Sequence, residues 1–182
     1  EAISRLDAIF WNEMTRMGVN EIFSEVTPVG GGQKAEAIKD ACKRLPTPLE
    51  DVMYVGDSIT DVEAFKLVRG NGGLTVSFNG NQYAIKSAEV AVLSENSIVT
   101  AIVADLFCKL GKQQTLEVLR NWNLEALQKS ALSQLLLDRL FILYPKVLPK
   151  AQMVTAENME KLVKESSEFR KKVRGEAIGR LG

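Results

Sequence analysis

The chain has 182 residues, of which 46% are hydrophobic and 25% charged, so length and composition favour one compact domain with a sizeable core. Lysine and arginine total 23, as do aspartate and glutamate, and this balance removes the electrostatic basis for nucleic-acid binding. No histidine is present, which excludes Ser-His-Asp and Cys-His catalysis and histidine-ligated metals. Any chemistry must therefore use carboxylates, lysine, hydroxyl groups or a hard metal ion.

Cysteine usage and hydropathy predict the compartment. Cys42 and Cys108 are the only cysteines and form no CxxC pair, a pattern typical of a cytoplasmic protein without disulfides or a zinc site. No apolar run approaches the roughly 18 residues that span a bilayer. Even the most apolar stretch, 135–144, is interrupted by Asp138 and Arg139, so we expect no membrane insertion.

Helices and strands alternate in the first half of the chain. Apolar periodicity and turn residues predict, in order, a helix over 2–17, a strand over 21–27, a helix over 34–45, a strand over 52–55, a helix over 60–67, a strand over 74–78, a helical turn over 83–87 and a strand over 90–93. Such alternation predicts an α/β fold with a mainly parallel sheet covered on both faces.

The second half shows no strand signal. Helices are predicted over 97–110, 113–121, 124–144 and 156–174, with Thr155 as the N-cap of the last one. The short basic run 170–174 is expected to be a solvated helix end. The fold class is therefore an α/β core followed by an all-helical C-terminal region.

The most informative segment is Gly56-Asp57-Ser58-Ile59-Thr60-Asp61, which follows the strand predicted over 52–55. Ligands bind where parallel strands end, and two carboxylates four positions apart suit a hard cation such as Mg2+. The simpler alternative is that Asp57 or Ser58 only caps the following helix while Asp61 is solvated. A third interpretation is the nucleophile block of a GDS-type esterase with Ser58 attacking, but that enzyme needs the histidine that this chain lacks.

Two further segments follow the same logic. Lys34 begins a helix after Gly30, Gly31 and Gly32, where backbone amides and a lysine could hold a phosphate, although a plain glycine-rich turn explains the pattern as well. The segment 78–81, Phe-Asn-Gly-Asn, forms a turn after the next strand, with or without a ligand.

Taken in order, these segments resemble the C-terminal part of the haloacid dehalogenase (HAD) superfamily, whose members are mostly Mg2+-dependent phosphatases. The resemblance covers 21–95 and implies a partial Rossmann-like core. It implies that Lys34 contacts the phosphoryl group, that Asp57 and Asp61 hold Mg2+ as catalytic residues, and that Lys34, Ser58, Asn79 and Asn81 bind the substrate, a small phosphorylated metabolite. Around it, 1–20 would be a helix from a cap or connector and 96–182 a helical extension.

Within the superfamily the motifs Gly-Asp-Ser-Ile-Thr-Asp and Phe-Asn-Gly-Asn are most similar to a poorly characterised archaeal group. Some of its members carry the label of subunit R of an energy-converting hydrogenase. The label implies membership of a complex and says little about chemistry.

One family motif is not found. HAD enzymes attack with the first aspartate of an Asp-x-Asp or Asp-x-Thr motif on an N-terminal strand, and Asp7 lies in a predicted helix without such a strand. The chain is thus expected to be a C-terminal piece of a longer protein, with a separate N-terminal polypeptide or a degenerate binding relative as alternatives. The whole protein would hydrolyse phosphomonoesters through an aspartyl-phosphate, and this chain alone would be inactive.

The competing function class is a non-catalytic interaction protein or complex subunit that uses the helical region. The segment 124–143 is apolar on nearly all sides, so we expect it to be buried against the α/β half, a second copy or a protein partner. The leucines expected at this contact are Leu124, Leu127, Leu135, Leu136, Leu140 and Leu143.

Overall fold

The structure is a computed structural model that describes residues 2–14 and 29–175. Four strands and eight α-helices follow one another in these ranges. The helices are α1 (Ala2–Ala8), α2 (Gly31–Arg44), α3 (Val62–Gly70), α4 (Gln82–Ser87), α5 (Ile98–Arg120), α6 (Leu124–Lys129), α7 (Gln134–Leu143) and α8 (Met159–Arg174). The strands are β1 (Met53–Gly56), β2 (Leu74–Phe78), β3 (Val90–Leu93) and β4 (Lys150–Met153).

Three shorter helical segments complete the described chain. A π-helical turn, Ile9–Glu13, continues α1, and 3-10 turns cover Leu49–Asp51 and Ile59–Asp61. Helix α5 is interrupted at Gly111, whose φ of 73° is a left-handed conformation that glycine adopts without a steric penalty. This break matches the boundary predicted between the helices over 97–110 and 113–121.

The sheet has the order β1-β2-β3-β4. The first three strands are parallel, with Val55 opposite Val76 and Val76 opposite Val90. Strand β4 is antiparallel to β3 and places Gln152 opposite Ala91. Because β1, β2 and β3 run in the same direction, their C-terminal ends lie at one edge of the sheet, where α/β proteins bind ligands.

Helices cover both faces of the sheet. On one face, alternate residues of the strands pack against α5, α6 and α7 in the largest apolar cluster, with Val76, Val92, Ile102, Leu106 and Leu140 fully buried. On the other face, α3 and α4 pack around Phe65 and Ala84, and α8 packs through Leu162 onto Ile85 and Ala91. The result is a three-layer α/β/α architecture.

The predicted fold class is confirmed, with one difference in the second half. Strand β4 was not predicted, because Lys-Ala-Gln-Met lacks the β-branched and aromatic residues that mark strands. Only Ala151 and Met153 face the core, and Lys150 and Gln152 alternate with them along the edge of the sheet. The region after residue 96 therefore contributes a strand as well as helices.

Other helix boundaries also differ from the predicted ones. The helix predicted over 124–144 is two helices, and α8 starts at Met159 with Asn158, not Thr155, as its N-cap residue. The part of the first helix beyond Met14 and the strand predicted over 21–27 lie outside the described residues.

The predicted burial of the leucines is partly right. Leu127 and Leu140 are buried, while Leu136 and Leu143 are half-buried against the same core. The prediction is wrong for Leu135, which is 78% exposed, and Leu124 is 36% exposed. Helix α7 thus has one buried face rather than burial on all sides.

No helix among the described residues is long and apolar enough to cross a membrane.

Candidate functional site

The turn that follows β1 forms the centre of the candidate site. The strand ends at Gly56, Asp57 follows, and the 3-10 turn Ile59–Asp61 brings the Asp61 side chain back onto the strand. A Cβ on Gly56 would lie 2.5 Å from Cγ of Asp61. Glycine is required here because any side chain would push the Asp61 carboxylate away.

The carboxylate of Asp61 is buried and fully hydrogen-bonded. Its Oδ2 accepts from the backbone N–H groups of Asp57 and Ser58, at 3.0 and 2.9 Å, and from Oγ of Ser58. Its Oδ1 accepts from the Lys34 ammonium at 2.7 Å and from the Tyr54 hydroxyl at 2.8 Å. Burial alone would raise the pKa of Asp61, but these hydrogen bonds prevail and lower it to about 2.

Lys34 reaches this turn from the first turn of α2. Its Nζ also donates to Oγ1 of Thr60 at 2.9 Å. The loop before the helix is closed by Gln33, whose Oε1 accepts from the backbone N–H of Gly30. About a quarter of the Lys34 side chain is exposed (28%), so its ammonium group lies at the surface of the cluster.

Tyr54 supports the cluster from within the sheet. Its ring packs edge-on against Phe65 with centroids 5.4 Å apart, and its hydroxyl points to Asp61. Burial and the Asp61 carboxylate raise the pKa of Tyr54, so its hydroxyl stays protonated and donates.

Asp57 is held by two arginines of α8. Its Oδ2 accepts from Nη1 of Arg170 at 3.1 Å and from Nη2 of Arg174 at 2.9 Å. The Asp57 side chain is 37% exposed, whereas that of Arg170 is 3% exposed. The predicted convergence of Lys34 and Asp57 on the Asp61 turn is therefore observed, and α8 joins them there.

The remaining predicted residues shape the neighbouring turn. Asn79, with a φ of 49°, uses its side-chain oxygen and nitrogen to bind the backbone of Ser94. Asn81 is the N-cap of α4, accepting from the N–H groups of Tyr83 and Ala84, and its backbone N–H donates to the Asp57 carbonyl at 2.8 Å. Nδ2 of Asn81 is buried and has no hydrogen-bond partner among the described residues.

Comparisons with known proteins identify the family. Residues 1–106, more than half of the chain, match the haloacid dehalogenase-like hydrolase family. The chain belongs to this family.

A solved structure, that of gene product AF1437 from Archaeoglobus fulgidus, is similar to this HAD-like chain with a TM-score of 0.64 and 29% identity. The similarity covers 93% of this chain and 46% of that one, so the chain spans about half the length of this relative. No curated protein gives a match.

HAD-like hydrolases generally use Mg2+, and the described residues fit that ion in part. Asp57 offers a half-exposed carboxylate whose Oδ1 has no hydrogen bond among the described residues, which suits a hard cation. The two oxygens of Asp61, the other predicted ligand, already accept from five donor groups in total. No three acidic, cysteine or histidine residues cluster as a metal site within the described ranges.

Sequence reasoning missed three residues of this HAD-like site: Tyr54, Arg170 and Arg174. The basic run was expected to be solvated, and this is wrong for Arg170, which is buried. A signal was available in the helical spacing. Leu162, Ser166, Arg170 and Arg174 are four positions apart, which places them on one face of α8.

Proposed function

We propose that this chain is the C-terminal part of the core of a Mg2+-dependent phosphatase that acts on small phosphorylated metabolites. The observation that carries the proposal is the ion pair between Lys34 and Asp61 at 2.7 Å, beside Asp57 at the exit of a parallel strand. A lysine so fixed, next to a carboxylate with an unused oxygen, suits a phosphate and a divalent cation together.

The proposed roles follow from the contacts. Lys34 binds the phosphoryl group, Asp57 is a cation ligand, and Asp61 orients Lys34 instead of binding the cation itself. Ser58 supports Asp61, and Asn79 and Asn81 position the turn beside Asp57, with Nδ2 of Asn81 as a further donor. When bound, Mg2+ would supply charge neutralisation at the phosphate oxygens.

The nucleophile of this proposal is an aspartate on an additional strand. Strand β1 lies at the edge of the sheet formed by the described residues, and in this proposal the additional strand pairs with that edge. The attacking carboxylate would displace the alcohol and form an aspartyl-phosphate, which water then hydrolyses. Without that strand the chain is expected to be inactive.

Three finer proposals accompany this one. The motifs favour membership of the archaeal group in which some proteins carry the label of hydrogenase subunit R. The two free cysteines favour a cytoplasmic location. We further propose that the chain divides into a connector over 1–20, a core over 21–95 and a helical extension over 96–182.

The test compares this chain with the complete encoded protein on a generic phosphomonoester. We expect turnover by the complete protein with Mg2+, none after chelation, and none by this chain. Asp57→Asn should abolish turnover, whereas Asp51→Asn, an exposed position near the other end of β1, should not. If this chain alone turned over the substrate and Asp57→Asn abolished that turnover, the assignment of the nucleophile to an additional strand would be wrong.

A second proposal is a non-catalytic complex subunit or homodimer that uses the helical region. It is favoured by the exposed side chains of Leu135 and Ile142, which lie two turns apart on α7 and are 78% and 70% exposed. A complete protein without turnover, whose dimer in sedimentation velocity is dissociated by Ile142→Glu, would favour this proposal over the phosphatase.

A further inference from the structure

Helix α8 carries a face that points at the candidate site. It packs on the sheet through Leu162, and one turn later Oγ of Ser166, fully buried, donates to the Gly80 carbonyl at 2.6 Å. Arg170 and Arg174 continue this face to the Asp57 carboxylate. The same helix therefore contacts the turns after both β1 and β2.

Arg170 is the fixed member of the pair. Its Nη1 lies within hydrogen-bond distance of the carbonyl of Asp57 at 3.1 Å, the carboxylate of Asp57 at 3.1 Å and the carbonyl of Asn79 at 2.7 Å. With 3% of its surface exposed, this guanidinium is part of the fold. It holds Oδ2 of Asp57 and leaves Oδ1 for another ligand.

Arg174 is the available member. Among the described residues it makes one hydrogen bond, to an oxygen of Asp57 that Arg170 also contacts. Its side chain is 35% exposed. A guanidinium has five N–H donors in a planar fork that matches a phosphate, so most of its capacity is unused.

The charges of the cluster also favour an anion. Lys34, Arg170 and Arg174 contribute three positive charges, and Asp57 and Asp61 contribute two negative ones. The cluster thus has one surplus positive charge, and a divalent cation on Asp57 would increase it. A dianionic phosphate at the exposed end of this cluster would offset that charge.

We propose that Arg174 is the anion-recognition residue of this site. Its guanidinium leaves Oδ2 of Asp57, which also accepts from Arg170, and binds the phosphate group, while Arg170 keeps Asp57 in place. This inference rests on the proposed function, since it deepens the recognition of a phosphorylated substrate by the same site. It assigns the C-terminal helix a part in substrate binding.

The experiment measures binding of inorganic phosphate to the complete encoded protein by calorimetry with Mg2+, together with KM and kcat on a phosphomonoester. Arg174→Gln should weaken phosphate binding and raise KM by about tenfold or more, because a charge-assisted bond is lost, with a smaller effect on kcat. Lys172→Gln is the matched control, since Lys172 is exposed on the same helix and pairs with Glu95. Arg174→Lys should recover part of the affinity.

The outcomes separate the two proposals. Equal phosphate affinity and KM in Arg174→Gln and Lys172→Gln would overturn the inference, while turnover by the wild type would leave the phosphatase proposal standing. Phosphate binding that depends on Arg174 without any turnover would support the inference and overturn the phosphatase. A wild type that neither binds phosphate nor turns over would overturn both.

Discussion

Asp57 and Asp61 lie four positions apart in one turn, yet their surroundings give them different chemistry. Asp61 is 3% exposed, and its negative charge is balanced by the Lys34 ammonium and by hydrogen bonds from the surrounding donors. Asp57 is half-exposed and shares one oxygen between two arginines. A carboxylate with an unused oxygen can exchange ligands, whereas a saturated and buried one can only orient its neighbours.

The protonation of Asp61 predicts how stability depends on pH. Its folded pKa of about 2 lies below the ordinary value of 3.8, so the carboxylate stabilises the fold above pH 4 and this contribution is lost as the pH falls towards 2. The linked free energy is about 2 kcal/mol. Urea unfolding between pH 6 and pH 3 should show Asp61→Asn less stable than wild type at pH 6, with the difference shrinking on acidification.

The exposed Asp51 provides the control for this measurement. Asp51→Asn should leave the stability at pH 6 close to that of the wild type, because the Asp51 side chain makes no hydrogen bond or ion pair among the described residues. A stability difference between Asp61→Asn and wild type that stays constant from pH 6 to pH 3 would contradict the assignment of the low pKa to Asp61.

At the scale of elements, the break between α6 and α7 has a clear physical cause. The backbone N–H and Oγ of Ser133 both donate to the Asp105 carboxylate of α5, at 2.8 Å. Lys109, also on α5, donates to the Ala131 carbonyl. These bonds replace helical hydrogen bonds across the break. Burial raises the pKa of Asp105, but the Lys109 ammonium, 2.8 Å from its Oδ2, and the two Ser133 donors prevail and lower it.

The break gives α7 one buried and one exposed face, which a pair of identical substitutions can test. Leu140→Ala should cost about 2 to 5 kcal/mol because it leaves a cavity in a fully buried cluster. Leu135→Ala, at a side chain that is 78% exposed, should change stability by no more than about 0.5 kcal/mol. Thermal melts decide between them, and an equal effect of the two substitutions would mean that α7 packs in another orientation.

The strands that the sequence predicted correctly are those with a signal in neighbouring residues. Apolar runs located β2 and β3, and the position of Asp57 after β1 predicted the candidate site. Strand β4 was missed because its two inward residues are recognisable only once β3 is there to pair with them. The role of the Tyr54 hydroxyl was missed because its partner, Asp61, lies across the turn that follows the strand. The arginines were missed because their partner, Asp57, is at least 113 positions away in the sequence.

At the scale of the whole molecule, α8 connects the end of the chain to the functional edge of the sheet. Ser166 reaches Gly80, 86 positions earlier, and Arg170 reaches Asp57, 113 positions earlier. Such bonds join segments far apart in the sequence, so they require the sheet and α8 to be packed together. The geometry of the Asp57 turn therefore depends on the complete packing of the C-terminal region and not on the motif alone.

This dependence predicts that loosening α8 will loosen the turn after β2. Ser166→Ala removes the buried bond to the Gly80 carbonyl, which should cost about 1 to 3 kcal/mol. Hydrogen exchange should accelerate in peptides that cover Asn79 and Gly80 as well as in α8. Ser167→Ala is the matched control, because it makes the same change at the adjacent, half-buried position. If the two variants exchanged alike around Gly80, α8 and the site would be independent of each other.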